Sequence, residues 1–241
     1  MNRAFADLHL RASINDPQRL IAKAATLGYQ QIAIPFSTPP TEAELSALKS
    51  YTNTSGINLV TRADFKPRTQ EDLTRFLRKY RRQFEVICIV CDNKDVARQA
   101  AKDHRVDILN FPSMDYKKRF FDRAEAELAS STEAALEIDA KPLLTLEGPP
   151  RTRFLSTIRR ETAIAKEFHV PIIISSGVSE SMLMRKPYDL AALGYLFGLQ
   201  EEICLDAVST NPDAIVTKNR TKLSSKFIAP GITLLKEGAA K

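Results

Sequence analysis

The 241-residue chain carries 35 Lys and Arg against 29 Asp and Glu, a net charge of +6, which favours polyanionic partners and leaves their identity to how the charge is distributed. With 44% hydrophobic and 27% charged residues, the composition is that of a folded globular protein and excludes disorder throughout. The opening MNRAFADLHL lacks a signal-peptide core, no apolar run is long enough to span a bilayer, and three cysteines give no even disulfide framework, so a cytoplasmic location is expected.

In chain order, Phe5–Leu10 predicts a strand and Asp16–Leu27 a helix stopped by Gly28. Strand Gln31–Phe36 leads to helix Thr41–Thr54, where Thr41 and Glu44 have capping-box spacing. The alternation continues with strand Ile57–Arg62, helix Thr69–Gln83, strand Phe84–Cys91, helix Asn93–Lys102, strand Val106–Phe111 and helix Lys118–Ser130. It closes with strand Ala134–Ile138, helix Arg151–Phe168, strand Pro171–Ser175 and helix Tyr188–Leu199. Strands rich in Val and Ile with helices between them imply a parallel sheet covered on both faces. An open doubly wound sheet fits that alternation too, but seven or eight repeats at this length favour an α/β, TIM-like (β/α) barrel. Neither GxGxxG nor GxxxxGK[ST] occurs, which argues against dinucleotide and P-loop chemistry. Residues 1–223 are expected to form one barrel domain and 224–241 a weakly structured tail.

Cys88 and Cys91 form a CxxC within the apolar run VICIVC, where their odd offset sets them on opposite strand faces. Redox or zinc pairs need a turn, so both thiols read as inert. Asp7-Leu8-His9 ends the first strand, where a barrel places its functional groups. The opening is similar to that of metal-dependent phosphoesterases of the polymerase-and-histidinol-phosphatase class, which continue with a second His two residues on. Arg11 stands there instead, and a guanidinium cannot ligate a metal. His104 and His169 are poorly placed to converge with His9, so no metal site is expected.

Strand periodicity places Glu137, Asp139 and Lys141 on one face, with Arg62 and Asp64 at the end of the third strand. Such a group serves either acid/base chemistry at the barrel mouth or an ion-pair network in which buried charges partner one another. Two carboxylates with neighbouring Arg and Lys satisfy the second reading, which is favoured over the first because no nucleophile–base pair accompanies them. Ser175-Ser176-Gly177 lacks the GxSxG elbow of serine hydrolases.

The third helix is the clearest electrostatic feature. Leu73, Phe76, Leu77 and Tyr80 follow i, i+3, i+4, i+7 spacing, and Arg75, Arg78, Lys79 and Arg82 repeat it one strip over. Arg81 extends the patch, and further basic clusters fall at Lys117, Lys118, Arg119 and Arg123; at Arg151, Arg153, Arg159 and Arg160; and at Lys218, Arg220, Lys222 and Lys226. Their recurrence points to RNA phosphate, which needs positive charge and no particular fold.

Phe121–Leu144, FDRAEAELASSTEAALEIDAKPLL, and Pro171–Leu199, PIIISSGVSESMLMRKPYDLAALGYLFGL, each join a strand to a helix through charged residues. Together with Ser209–Ile215 they resemble protein component 3 of archaeal ribonuclease P, the TIM-barrel-like subunit family, over a match from Phe5 to Asn219. The resemblance implies a metal-free barrel related to the phosphoesterases above. It implies assembly with ribonuclease P RNA, with protein component 2 as direct partner and with the other protein components, and precursor tRNA in the holoenzyme. The RNA then removes the 5′ leader of precursor tRNA using magnesium, and the barrel contributes no catalytic residue, no cofactor and no membrane contact. Arg123, Lys141, Arg185 and Lys186 match basic positions of the familial segments. Lys141 stands where the family's strand often reads Arg, a change that keeps charge and loses bidentate geometry. With Arg62, Arg75, Arg78, Lys79 and Arg82, these four make the set of RNA- or partner-binding candidates. The alternatives are a free-standing metal-dependent phosphoesterase on the same barrel and a barrel lyase or isomerase using the carboxylates near Glu137.

Overall fold

Alternating strand residues divide the apolar side chains into two sets, one filling the inside of a barrel and one lying under its helices. The computed structural model describes residues 3–12, 16–112, 119–229 and 232–233. Seven parallel strands follow one another in chain order: β1 (Ala6–Asp7), β2 (Gln31–Phe36), β3 (Asn58–Phe65), β4 (Val86–Val90), β5 (Ile108–Asn110), β6 (Ala135–Asp139) and β7 (Ile172–Ser175). Ala6, Ala33, Val60, Val86, Ile108, Ala135 and Ile173 meet in the interior. Their neighbours Ala63, Ile87, Leu109, Leu136 and Ile174 pack outward against the helices. Each fully buried Ile or Leu contributes about 1.5–3 kcal/mol, so this two-sided burial is the main force holding the barrel.

No eighth strand closes the ring among the described residues. The gap between β7 and β1 is bridged by the turn at residues 207–209, with Ala6 N–H donating to Val208 O at 2.9 Å and Ile174 N–H to Ala207 O at 3.0 Å. Towards the C-terminal ends of the strands, Gly177 N–H donates to His9 O at 3.0 Å and Arg11 N–H to Val178 O at 2.9 Å. Both β1 and β7 thereby satisfy edge groups that would otherwise be left open.

The helices are α1 (Gln18–Leu27), α2 (Glu42–Thr54), α3 (Gln70–Tyr80), α4 (Lys94–Ala101), α5 (Arg123–Thr132), α6 (Lys141–Thr145), α7 (Gly148–Glu167), α8 (Pro187–Leu196), α9 (Glu201–Asp206) and α10 (Thr210–Leu223). The expected stop and start signals hold. Gly28 is left-handed with φ 96°, and Thr41 and Glu44 form a reciprocal capping box. On α3, Thr69 caps the helix by accepting from Asp72 N–H, while Arg78 and Lys79 in its last turn complement the dipole. Helix α5 begins five residues later than expected, because Asp122 caps it by accepting from Glu125 N–H at 2.9 Å.

Helices α6, α9 and α10 escape the sequence pattern. In α10 the buried positions are Pro212, Ile215, Val216 and Asn219, too few apolar residues to print a helical stripe. The helix plugs the N-terminal end of the barrel. Ile215 and Val216 enter the interior, Asn219 Nδ2 donates to Glu85 O and Asp107 Oδ1, both at 2.8 Å, and Arg220 Nε pairs with Glu85 at 2.5 Å. Within the expected tail, β8 (Phe227–Ala229) and β9 (Ile232–Thr233) form a small antiparallel pair, and residues 234–241 lie outside the described part. No helix among the described residues is long and apolar enough to cross a membrane.

Candidate functional site

With α10 stopping one end, the interior opens only towards the C-terminal ends of the strands, where inward positions turn polar. On β3 the inward residues after Val60 are Arg62 and Asp64, and on β6 those after Ala135 are Glu137 and Asp139. Arg62 is fully buried, and each of its guanidinium nitrogens is hydrogen-bonded. Nη1 and Nη2 donate to the two oxygens of Glu137 at 2.6 Å each, Nη1 also donates to Leu8 O at 2.6 Å, and Nε donates to Asp64 Oδ1 at 2.6 Å. Asn110 Nδ2 at 2.8 Å and Ser175 Oγ at 2.7 Å donate to Glu137 as well.

His9 sits above this pair, 1% exposed, between two carboxylates. Its Nδ1 lies 2.7 Å from Asp139 Oδ1 and its Nε2 lies 3.1 Å from Asp64 Oδ2. Burial alone would pull the imidazole below its ordinary value, but the charges of Asp139 and Asp64 prevail and raise it to about 10. The ring is therefore an imidazolium that donates from both nitrogens. Arg11 Nε, 3.0 Å from Nε2, then has no lone pair to meet, and its guanidinium faces Asp139 Oδ2 at 3.6 Å instead. Asp64 and Asp139 are held below the usual carboxylate range despite burial, Asp64 chiefly by Arg62 and Asp139 chiefly by His9. Gly177 lets the β7 loop approach this group, since a Cβ on it would stand 2.8 Å from Asp139 Cγ. Asp7, a fourth buried acid nearby, is pushed up by burial towards its neutral form, while its Oδ1 accepts from Ser176 N–H at 3.0 Å.

The mouth thus holds three carboxylates, Asp64, Glu137 and Asp139, against three protein cations, Arg11, Arg62 and His9. Among the described residues, His9, Glu137 and Asp139 are the one group whose donor atoms lie close enough together to hold a metal ion. They fit one poorly. Both Glu137 oxygens are taken by Arg62, His9 Nδ1 carries a proton bound to Asp139, and the carboxylate charge is already balanced. Cys88 faces the barrel interior and Cys91 the outer layer, as their odd spacing requires, and both are free thiols. His104 and His169 sit in helix-to-strand turns at the opposite end of the barrel from His9.

The basic candidates separate into distinct places. Arg62 is withdrawn from any phosphate, because it has no exposed surface and every guanidinium nitrogen is bound inside the barrel. Lys141 does not share the inward face of β6: the strand ends at Asp139, and Lys141 opens α6 with its Nζ 3.3 Å from Ser179 Oγ. Arg185 is half-buried and donates to Met182 O and Met184 O of its own loop, while Lys186 is exposed at the start of α8. Arg123 is exposed but paired with Glu167 across α5 and α7. Arg119 is buried against Glu161, whereas Lys117 and Lys118 lie outside the described residues. Arg75, Arg78, Lys79 and Arg82 alone form a continuous exposed stripe, beside the buried Leu73, Phe76 and Leu77 as the spacing requires.

The family model for ribonuclease P subunit p30 matches residues 4–224. The chain belongs to the ribonuclease P p30 family. Ribonuclease P protein component 3 of Methanosarcina barkeri is 30% identical over 227 residues, covering 93% of this chain and 91% of that protein. Its counterpart in Methanosarcina mazei is 29% identical over 224 residues, covering 92% and 90%. The p30 barrel also superposes on a chain of the cryo-EM structure of archaeal ribonuclease P with mature tRNA, with a TM-score of 0.85 and 21% identity over 98% of this chain and 100% of that one. As a p30 member the protein is a subunit of ribonuclease P. Sequence reasoning found most of the charged residues at the p30 mouth but not the roles of Asn110 and Ser175, whose side chains acquire meaning only when β5 and β7 flank Glu137.

Proposed function

We propose that this chain is the non-catalytic barrel subunit of ribonuclease P, assisting the catalytic RNA in endonucleolytic removal of the 5′ leader of precursor tRNA. The observation that carries the proposal is the self-neutralising mouth. A metallo-phosphoesterase needs carboxylates and neutral imidazoles free to bind a cation and activate water. Here Arg62 occupies the centre of the carboxylates, Arg11 stands beside them, and His9 is cationic. This arrangement supports the structural reading over the alternative of a free-standing metal-dependent phosphoesterase.

In this reading magnesium serves the RNA, and the protein holds no cofactor of its own. The barrel acts in the cytoplasm with ribonuclease P RNA, with protein component 2 as its direct partner, and with the remaining components, where precursor tRNA is bound. Contacts to RNA or to partners come from Arg75, Arg78 and Lys79 on α3 and Arg82 just after it, from Lys141 at the start of α6, and from Arg185 and Lys186 on the loop before α8. Arg123 is a weaker candidate, since its charge is already met by Glu167. Reconstitution tests the proposal. Adding the chain to catalytic RNA plus component 2 at limiting magnesium should raise the rate of precursor-tRNA cleavage, and no stimulation would overturn it.

A further inference from the structure

Several basic side chains on this barrel are paired with carboxylates of the protein itself. Arg81 pairs with Asp107, Arg98 with Asp122, Arg105 with Asp103, Arg123 with Glu167, Lys218 with Glu133 and Arg220 with Glu85. The outer stripe of α3 is different. Arg78, Lys79 and Arg82 are exposed with no carboxylate within 4.0 Å among the described residues, and Arg75 has only a loose 3.9 Å approach to Asp72. A groove of about 410 Å³ runs beside the stripe, lined by Gln70, Glu71, Thr74, Arg75 and Arg78 and by Gln99 of α4.

We propose that this face, α3 with the adjoining wall of α4, is a contact surface for the backbone of helical RNA, an assignment that rests on the ribonuclease P reading above. Four cations, three on α3 and Arg82 in the turn that follows it, are spread over eight residues, about 10 Å at 1.5 Å per residue. Phosphates follow one another closely along each strand of the A-form helix that paired RNA adopts, so that length meets about three of them. The guanidinium forks bind phosphate oxygens, and the Gln99 amide adds a neutral donor of the kind that reaches sugar hydroxyls and phosphates. A single strand is the poorer fit. Readers of unpaired RNA stack bases on exposed aromatic rings. On this face Phe76 is buried against Phe65, and half-buried Tyr80 is covered by Lys79 Nζ at 4.8 Å from its ring centroid.

The test uses the full-length chain and two probes, an RNA duplex of about twenty base pairs with arbitrary sequence and one of its strands alone, titrated over a range of salt. Replacing Arg75, Arg78, Lys79 and Arg82 together with Gln should leave the thermal unfolding midpoint in place. It should lower the log–log salt slope for the duplex by about 0.9 per lost phosphate contact, about 2.7 for three. The pair Arg78→Gln and Arg82→Gln should give about half of that change, so the inference stays testable if the fourfold variant folds poorly. A control set with the same charge loss, Arg151, Arg153, Arg160 and Lys226 to Gln, should change the slope by less than one. An unchanged slope in the α3 variants, an equal change in the control set, or tighter binding of the single strand than of the duplex would each overturn the assignment. Wild-type stimulation of reconstituted precursor-tRNA cleavage, measured alongside, separates the two claims. If stimulation is present while the α3 variants bind duplex normally, only the surface assignment fails.

Discussion

Replacing Arg62 with Met removes one of three cations at the barrel mouth and leaves Glu137 with no exposed surface and both oxygens stripped of their guanidinium partner. It also frees Leu8 O and one oxygen of Asp64, each held at 2.6 Å in the wild type. Breaking a buried pair from one side costs about 3–5 kcal/mol, because an uncompensated charge stays in the interior. In a chain of this size each kcal/mol moves the melting temperature by about 2–4 °C, so a loss of about 6–20 °C is expected. Arg62→Met combined with Glu137→Gln removes one charge of each sign and restores the balance. The amide oxygen keeps one acceptor, and the Ser175 hydroxyl can turn to accept from the new amide nitrogen. The double variant should therefore be more stable than Arg62→Met alone, with a coupling energy of about 1–3 kcal/mol. Urea unfolding followed by circular dichroism, run on both singles and the double, measures this directly. An Arg62→Met variant within about 1 kcal/mol of wild type, or a double equal to the sum of the singles, would refute the charge-balance account.

Glu125 is buried with neither oxygen hydrogen-bonded among the described residues; Arg98 Nε, 3.2 Å away, is misaligned, and burial pushes the carboxyl up to about 8 from about 4.5. The folded state then keeps a proton that the unfolded chain releases, so the stability this group contributes is full below pH 4.5 and is lost as pH rises through 8. Glu125→Gln should flatten that part of the stability profile, and an unaltered slope would contradict the assignment. Gly177→Ala places a Cβ 2.8 Å from Asp139 Cγ at a left-handed φ of 64° and should cost about 2–5 kcal/mol from strain and overpacking together. Gly28→Ala, left-handed with φ 96° but with nothing within 4 Å, should cost only the backbone share of about 1–2 kcal/mol, and equal losses at the two sites would contradict the packing argument. After gel filtration the protein should contain no stoichiometric zinc, iron or manganese by elemental analysis, and near-integral metal retained against a mild chelator would revive the phosphoesterase alternative.

The barrel was legible because its strands are buried on both faces and its outer helices carry clean apolar stripes. All seven strands and the helices that follow β1 to β5 sit where periodicity puts them, with ends moved by a few residues. Helix α10 was not legible, since it buries against strand ends through Asn219 and Arg220 as much as through Ile215 and Val216. At the mouth, spacing identified Glu137 and Asp139 as facing inward, but it carried the same alternation through Lys141, where the backbone already turns into α6. Arg62 stood both in the expected ion-pair network and among the RNA-binding candidates, and the structure gives it the first role, with Glu137 as its partner. A charge pattern along one strand does not reveal which opposite charge the neighbouring strands bring across the barrel.

The central claim is that this barrel supports an RNA catalyst and performs no cleavage itself. Its most direct test is a precursor-tRNA cleavage assay with the purified chain alone, supplied with magnesium, manganese or zinc, run beside the same chain added to catalytic RNA and component 2. The account predicts no cleavage above background without RNA under any of the three metals, and a faster reaction at limiting magnesium once the RNA and component 2 are present. Robust RNA-free release of the 5′ leader, lost on Asp139→Asn, would contradict it.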